Sequence, residues 1–394
     1  MKLILFDPRL VRENLMPLTA TRPVGAIRIG ILTIAEKWGT RLKSDFYYQT
    51  QPYLQHKYEG PPYGEGPFIY INGAICPDNS LVSDVERLQP GQVLMFNDTV
   101  IAFVSRHIAN PELAAFEFET MPYSADPVVI EKLSDIFSLN GKELEKDFDI
   151  VTRGRQSAPI DPSNIVINPD KIFLEPGAKV WASVLNASAG PIYIGKTTEV
   201  MEGSLIRGPF ALCDHSALKM GAKIYGPTTI GPHCKVGGEV NNSVIFGYTN
   251  KAHDGFLGNA VIGEWCNIGA DSNNSNLKNN YAEVKLWSYH TGKFEPTGLQ
   301  FCGLIMGDHS KCGINTMFNT GTVVGVSCNI FGAGFPRNFV ADFSWGGAQG
   351  FSSYALDKVF ETAQQVYERR GLNFNQTEKD ILQKVFEDTE KWRK

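Results

Sequence analysis

The chain has 394 residues, enough for two or three domains, with 43% hydrophobic and 20% charged residues. A formal net charge of −5 at pH 7 gives no basic field for a nucleic acid, and the seven cysteines never form a C-x-x-C pair, which argues against a disulfide scaffold and a structural zinc site. No apolar run reaches the roughly 20 residues of a membrane span, and MKLILF meets Asp7 too early for a signal-peptide core, so a soluble cytoplasmic protein is expected.

Residues 1–128 read as an α/β domain. LILF opens as a buried strand, residues 30–42 carry helical spacing through Ile31, Ile34 and Trp38, and FIYING is a second strand. QVLMFNDTVIAFV is a strand pair that turns at Asn97-Asp98. Residues 129–164 form a helical linker broken at Asn140-Gly141.

A six-residue beat then takes over. Ile194, Val200, Ile206, Leu212, Leu218, Ile224, Ile230 and Val236 are evenly spaced, as are Val244, Asn250, Phe256, Ile262 and Ile268, and then Met306, Cys312, Phe318, Val324 and Ile330. Only Asn250 among these is not apolar, where composition alone would leave about half of them polar. A strand repeats its faces with period 2, so a period of 6 keeps every sixth side chain on one inward face. The spacing predicts a parallel β-helix over 165–340, interrupted by a polar and aromatic insertion at 274–304. Residues 341–394 carry two helical patterns and read as a cap on the open end.

Within the solenoid, NKAHDGFLGNAVIGEWCNIGADSNNSNLKNN and LIMGDHSKCGINTMF resemble the bacterial bifunctional N-acetylglucosamine-1-phosphate uridyltransferase/glucosamine-1-phosphate acetyltransferase family. That family carries KAGH-x-x-YLGD, NIGAG, CNYDG and IIGDDVFVGSDTQL in the same order. The resemblance covers about 190–335 and implies a left-handed β-helix of hexapeptide repeats, a homotrimer with sites between neighbouring helices, and acetyl-CoA as co-substrate. It places the catalytic base at His253, whose near-neutral imidazole suits removal of a proton from an attacking amine. It assigns Asn267, Asn276 and Lys223 to the acceptor; Arg337, just past the last beat, is a candidate partner for the phosphates of coenzyme A by its position alone.

Some positions depart from the family pattern. Phe256 stands in place of a tyrosine, Asn241-Asn242 in place of a lysine pair, Lys223 in place of an arginine and Ile314 in place of a serine. The acceptor is thus an amino sugar phosphate, another amino sugar or a nucleotide sugar. His215, His233, His290 and His309 have no metal-ligand spacing, and no metal site is read.

The N-terminal segment resembles a shortened sugar nucleotidyltransferase through Leu-x-Pro-Leu-Thr-x-x-Arg-Pro, but it has no glycine before Gly25, and Asn72-Gly73-Ala74 replaces the usual carboxylate motif. Arg9, Arg22 and Arg28 are candidates for nucleotide phosphate contacts, and Mg²⁺ is expected only if this domain is active, with Asp7 as a ligand candidate. The expected function is acetyl-CoA-dependent N-acetyl transfer to an amino sugar phosphate in nucleotide-sugar biosynthesis, with a possible nucleotidyl transfer step. The alternatives are nucleotidyl transfer as the main activity with the β-helix as a trimerisation scaffold, or a non-catalytic sugar-nucleotide-binding protein.

Overall fold

The structure, a computed structural model, describes residues 2–62, 64 and 66–393. It divides into two compact units: 1–15, 21–27 and 32–132 form one, and 16–20, 28–31 and 133–394 form the other.

The first unit is a six-stranded mixed sheet. Lys2–Phe6 pairs in parallel with Phe46–Gln49 on one side and Phe68–Asn72 on the other. Thr99–Ser105 lies antiparallel between Phe68–Asn72 and Gln92–Phe96, and Glu119–Pro122 closes the edge. Tyr70 and Phe103 stack in the core at 4.5 Å. Thr33 and Glu36 form a capping box, so the helical pattern at 30–42 becomes a helix only from Ile34 to Leu42. Its apolar stripe buries Ile34, Ala35 and Trp38, and the Trp38 indole N–H donates to the Ile75 carbonyl at 2.8 Å.

The second unit matches a left-handed parallel β-helix with a helical cap. The coils lay down short strands on three faces, and the first face has fewer of them than the other two. The first face runs from Ile165–Ile167 through Val184–Asn186, Leu205–Arg207, Lys223–Tyr225 and Glu239–Asn241 to Phe256–Gly258. The second has nine strands, from Ile172–Leu174 to Phe339–Val340. The third has ten, from Lys179–Val180 to Gly350–Ser353. The inward residues stack into one apolar core, and full burial of each Ile, Leu or Val contributes about 1.5–3 kcal/mol.

Between the second and third faces the chain turns through left-handed residues, among them His215, His233, Tyr248, Trp265 and His309. Their rings form an external ladder, with His215, His233, Tyr248 and Trp265 stacked at 4.8, 4.6 and 4.1 Å. Just inside the same corner, Ser216, Cys234, Thr249, Cys266, Ser310 and Cys328 each donate to a carbonyl of the next coil. This inner column satisfies turn carbonyls that no strand reaches. All seven cysteines are buried and none forms a disulfide.

The beat holds from Ile194 to Val236 and then shifts. The inward residues are Ile245, Lys251 and Leu257, in register with Ile230, Val236 and Val240, whereas the spacing had placed Val244, Asn250 and Phe256 inward. The physical reason is a shortened coil: Ile230 and Ile245 are register partners only fifteen residues apart.

Residues 133–152 form the helices Leu133–Ser138 and Asn140–Thr152. Asn140 ties the second of these to the second face, donating to the Pro227 carbonyl at 3.1 Å and accepting from the Thr229 hydroxyl at 3.1 Å. The insertion is a hairpin, Lys285–Ser288 with Lys293–Pro296. Two of its aromatic side chains turn inward on the solenoid: Trp287 stacks on Phe339 at 4.3 Å, and the Tyr289 hydroxyl donates to Asp342 at 2.7 Å. The cap also does more than close the end, because the helix Leu356–Glu368 reaches back along the flank and stacks Tyr367 on Trp265 at 4.0 Å.

Candidate active site

His253 is exposed on the corner that leads from the third face to the first. The corner is built from inside. Lys251 points into the core at 2% exposure, and its ammonium group donates to the carbonyls of Gly237 at 2.9 Å and His253 at 2.7 Å. Burial pushes the Lys251 pKa down from 10.5 to about 8. The corner is completed by Gly255 at φ +117°, where a Cβ would meet the Ser272 carbonyl oxygen at 2.2 Å.

The first face continues from this corner through Phe256–Gly258, where the next coil offers no regular strand pairing. Asparagine side chains bridge the gap. Asn273 accepts from the Phe256 N–H at 2.8 Å. Asn274, buried at 3%, accepts from the Gly258 N–H at 2.8 Å and donates to the Gly258 carbonyl at 2.9 Å. Asn276 donates to Asn259 at 2.8 Å, at the far end of the same strand from His253. Lower on this face, Lys223, Tyr225, Glu239 and Arg207 line an open groove of about 720 Å³. The Tyr225 hydroxyl donates to Glu239 at 2.5 Å, and that bond, with burial, raises its pKa to about 12.

Three of the residues singled out from sequence, His253, Asn276 and Lys223, therefore border one face of the solenoid. Asn267 does not join them. It lies outward on the third face, in register with Asn250 and Lys311. Arg337 is exposed in the turn before Phe339–Val340. Sequence reasoning missed the inward Lys251 and the Tyr225–Glu239 pair. The signal for Lys251 was Asn250, the single polar position in an otherwise apolar beat.

The arginines of the N-terminal segment are scattered. Arg9 is exposed and paired with Glu13 at 3.3 Å, and Arg22 is buried in the first unit. Arg28 belongs to the second unit and donates to the Ile31 carbonyl. Asp7, at the end of the first strand, accepts from the Val24 N–H at 2.8 Å and the Thr50 hydroxyl at 2.5 Å, with Arg12 at 3.8 Å. Burial outweighs these partners and raises its pKa to about 6. Asn72 is likewise spent on Val100 and Ala74. These residues do not fit a magnesium site: one carboxylate has both oxygens engaged, and the second position is an amide already bonded. Among the described residues no group of three or more His, Cys, Asp or Glu could hold a metal.

The fold and this face define a hexapeptide-type β-helix that carries a histidine at a corner. A family model for sugar nucleotidyl transferases matches residues 3–156, which makes the N-terminal part of the chain similar to those enzymes. No curated protein matches the chain. Among solved structures, the polySia-specific acetyltransferase NeuO is 13% identical, over 53% of this chain and 94% of that one, with a TM-score of 0.26. The Arabidopsis UDP-N-acetylglucosamine acyltransferase is 16% identical over 59% and 91%, with a TM-score of 0.23. AntD, an N-acyltransferase from Bacillus cereus solved as a mutant with dTDP and coenzyme A, is 10% identical over 52% and 91%, with a TM-score of 0.23. No helix of the described residues is long and apolar enough to cross a membrane.

Proposed function

We propose that the protein is a transferase that moves an acetyl group from acetyl-CoA to the amine of an amino sugar phosphate or nucleotide sugar bound along the first face. The observation that carries this reading is the exposed His253 at the head of that face, with its backbone carbonyl fixed by Lys251. In this reading His253 takes a proton from the amine as nitrogen attacks the thioester carbonyl. The C–N bond forms, the C–S bond breaks, and the coenzyme A thiolate leaves. Asn276 and Lys223 contact the acceptor, and Arg337 contacts the phosphates of coenzyme A. In this reading the active form is a homotrimer in which a neighbouring chain supplies the other side of the site. The cytoplasm is the proposed location.

The test is thiol release from acetyl-CoA with glucosamine-1-phosphate as acceptor. The variant His253→Ala should lose roughly 100-fold or more in kcat while its melting temperature holds, since the side chain is exposed. Full activity in that variant would sink the base assignment. Release with a UDP-linked amino sugar but not with the sugar phosphate would move the acceptor to the nucleotide sugar.

The family match over residues 3–156 favours a second activity, nucleotidyl transfer. Pyrophosphate release from a nucleoside triphosphate and a sugar-1-phosphate tests it, and the engaged Asp7 carboxylate argues against it.

A further inference from the structure

On the third face, the residues that precede the inward positions point outward and fall in one row. Lys235 pairs with Asn250, Asn250 with Asn267, and Asn267 with Lys311. At about 4.8 Å per strand, the two lysines stand about 14 Å apart with two amides between them. The helix Leu356–Glu368 crosses above this row, and the residues that follow it, Arg369 and Arg370, come down on it from the other side. Together they enclose a cavity of about 360 Å³, within the range of small-molecule sites. Four cations and no acidic side chain line it.

The hydrogen bonds that two of these cations make go to neutral groups. Arg370 donates to the neutral amide of Asn250 at 3.1 Å, and Lys311 to the His309 carbonyl at 2.8 Å. Among the described residues none of the four is paired with a carboxylate, in a chain whose net charge is −5. The Lys311 ammonium is further disfavoured by burial, which lowers its pKa to about 8. The roof is also fixed, because Tyr367 stacks on Trp265 two residues before Arg369. Like charges held together by rigid packing are costly unless something of opposite charge enters.

We infer that this flank cavity binds the phosphoryl or diphosphoryl group of a small metabolite. The cavity lies on the third face, away from the first-face groove, so the site is separate from the proposed acceptor site. A multiply charged anion is the ligand that four cations select, and the arginines supply paired N–H donors for its oxygens.

Calorimetric titration of the full chain with inorganic pyrophosphate tests this. The wild type should bind, with affinity falling as salt rises. The double variant Lys235→Gln/Arg369→Gln should bind roughly tenfold or more weakly, a loss of one decade in Kd. Both side chains lie outward, and circular dichroism would confirm an intact fold. His253→Ala should bind pyrophosphate like the wild type, so loss of the acyltransferase reading leaves this one standing. Absence of binding at low salt, or equal affinity in the double variant, would overturn the site. Uridine diphosphate and coenzyme A, titrated in parallel, identify the source. Tighter binding of either one assigns the phosphate to a nucleotide or to coenzyme A, and equal binding assigns it to the free anion.

Discussion

Between Ile194 and Val236 the register partners fall every eighteen residues and every side chain on the six-residue beat is apolar. From Ile230 to Phe318 the spacing drops to fifteen, rises to seventeen and jumps to forty-four across the insertion, and Lys251 and Asn274 face inward. The first stretch is what hydrophobic stacking alone would build. The second gives up core apolarity to hold an exposed histidine and a broken strand ladder in place. Departures from a repeat that otherwise runs without fault mark where the chain serves something besides stability.

The largest effect expected from this contrast lies in the regular stretch. Leu212 is fully buried, and Leu212→Ala should cost about 3–4 kcal/mol through lost burial and a cavity. Denaturant unfolding measures it, and thiol release per folded molecule should not change. If activity collapsed while the fold held, the two stretches would not be separate in role.

The next effect is specific to the irregular stretch and depends on pH. Folded Lys251 releases its proton near pH 8, while the unfolded chain holds it to 10.5. Between those values the unfolded state binds more protons, so stability rises with pH. The wild type should gain about 3 kcal/mol across that window relative to Lys251→Met, with Lys311 cancelling because both proteins contain it. A flat difference would show that Lys251 is not buried as a cation.

The smallest effect concerns the bridged ladder. Asn274→Ala leaves the Gly258 N–H and carbonyl without their partners, at a cost of about 2 kcal/mol. Hydrogen exchange at the Gly258 amide should speed up while the amides of Leu205–Arg207 stay protected. Equal loosening at both places would make the solenoid a single cooperative block.

The solenoid was legible because a six-residue period leaves few alternatives, while His253 stood out as a candidate because its motif has defined neighbours. The inward Lys251 was hidden by the shortened coil, which offset the apparent beat by one residue and presented Asn250 in its place. The doubled glycine Gly237-Gly238, which sits where the coil contracts, was the available hint. The flank cavity had no sequence signal at all. Arg369 and Arg370 meet Lys235 across more than a hundred residues of chain, a juxtaposition only the returning helix creates.

The inner column of hydroxyls and thiols between the second and third faces has a practical consequence. Burial raises the pKa of Cys234 and Cys328 to about 12, so neither is a nucleophile while its coil stays closed. They sit several coils apart, each bonded to a carbonyl of the coil above. A thiol-reactive dye would therefore act as a clock for local opening, and single-cysteine versions of the chain would report in which order the stack comes apart.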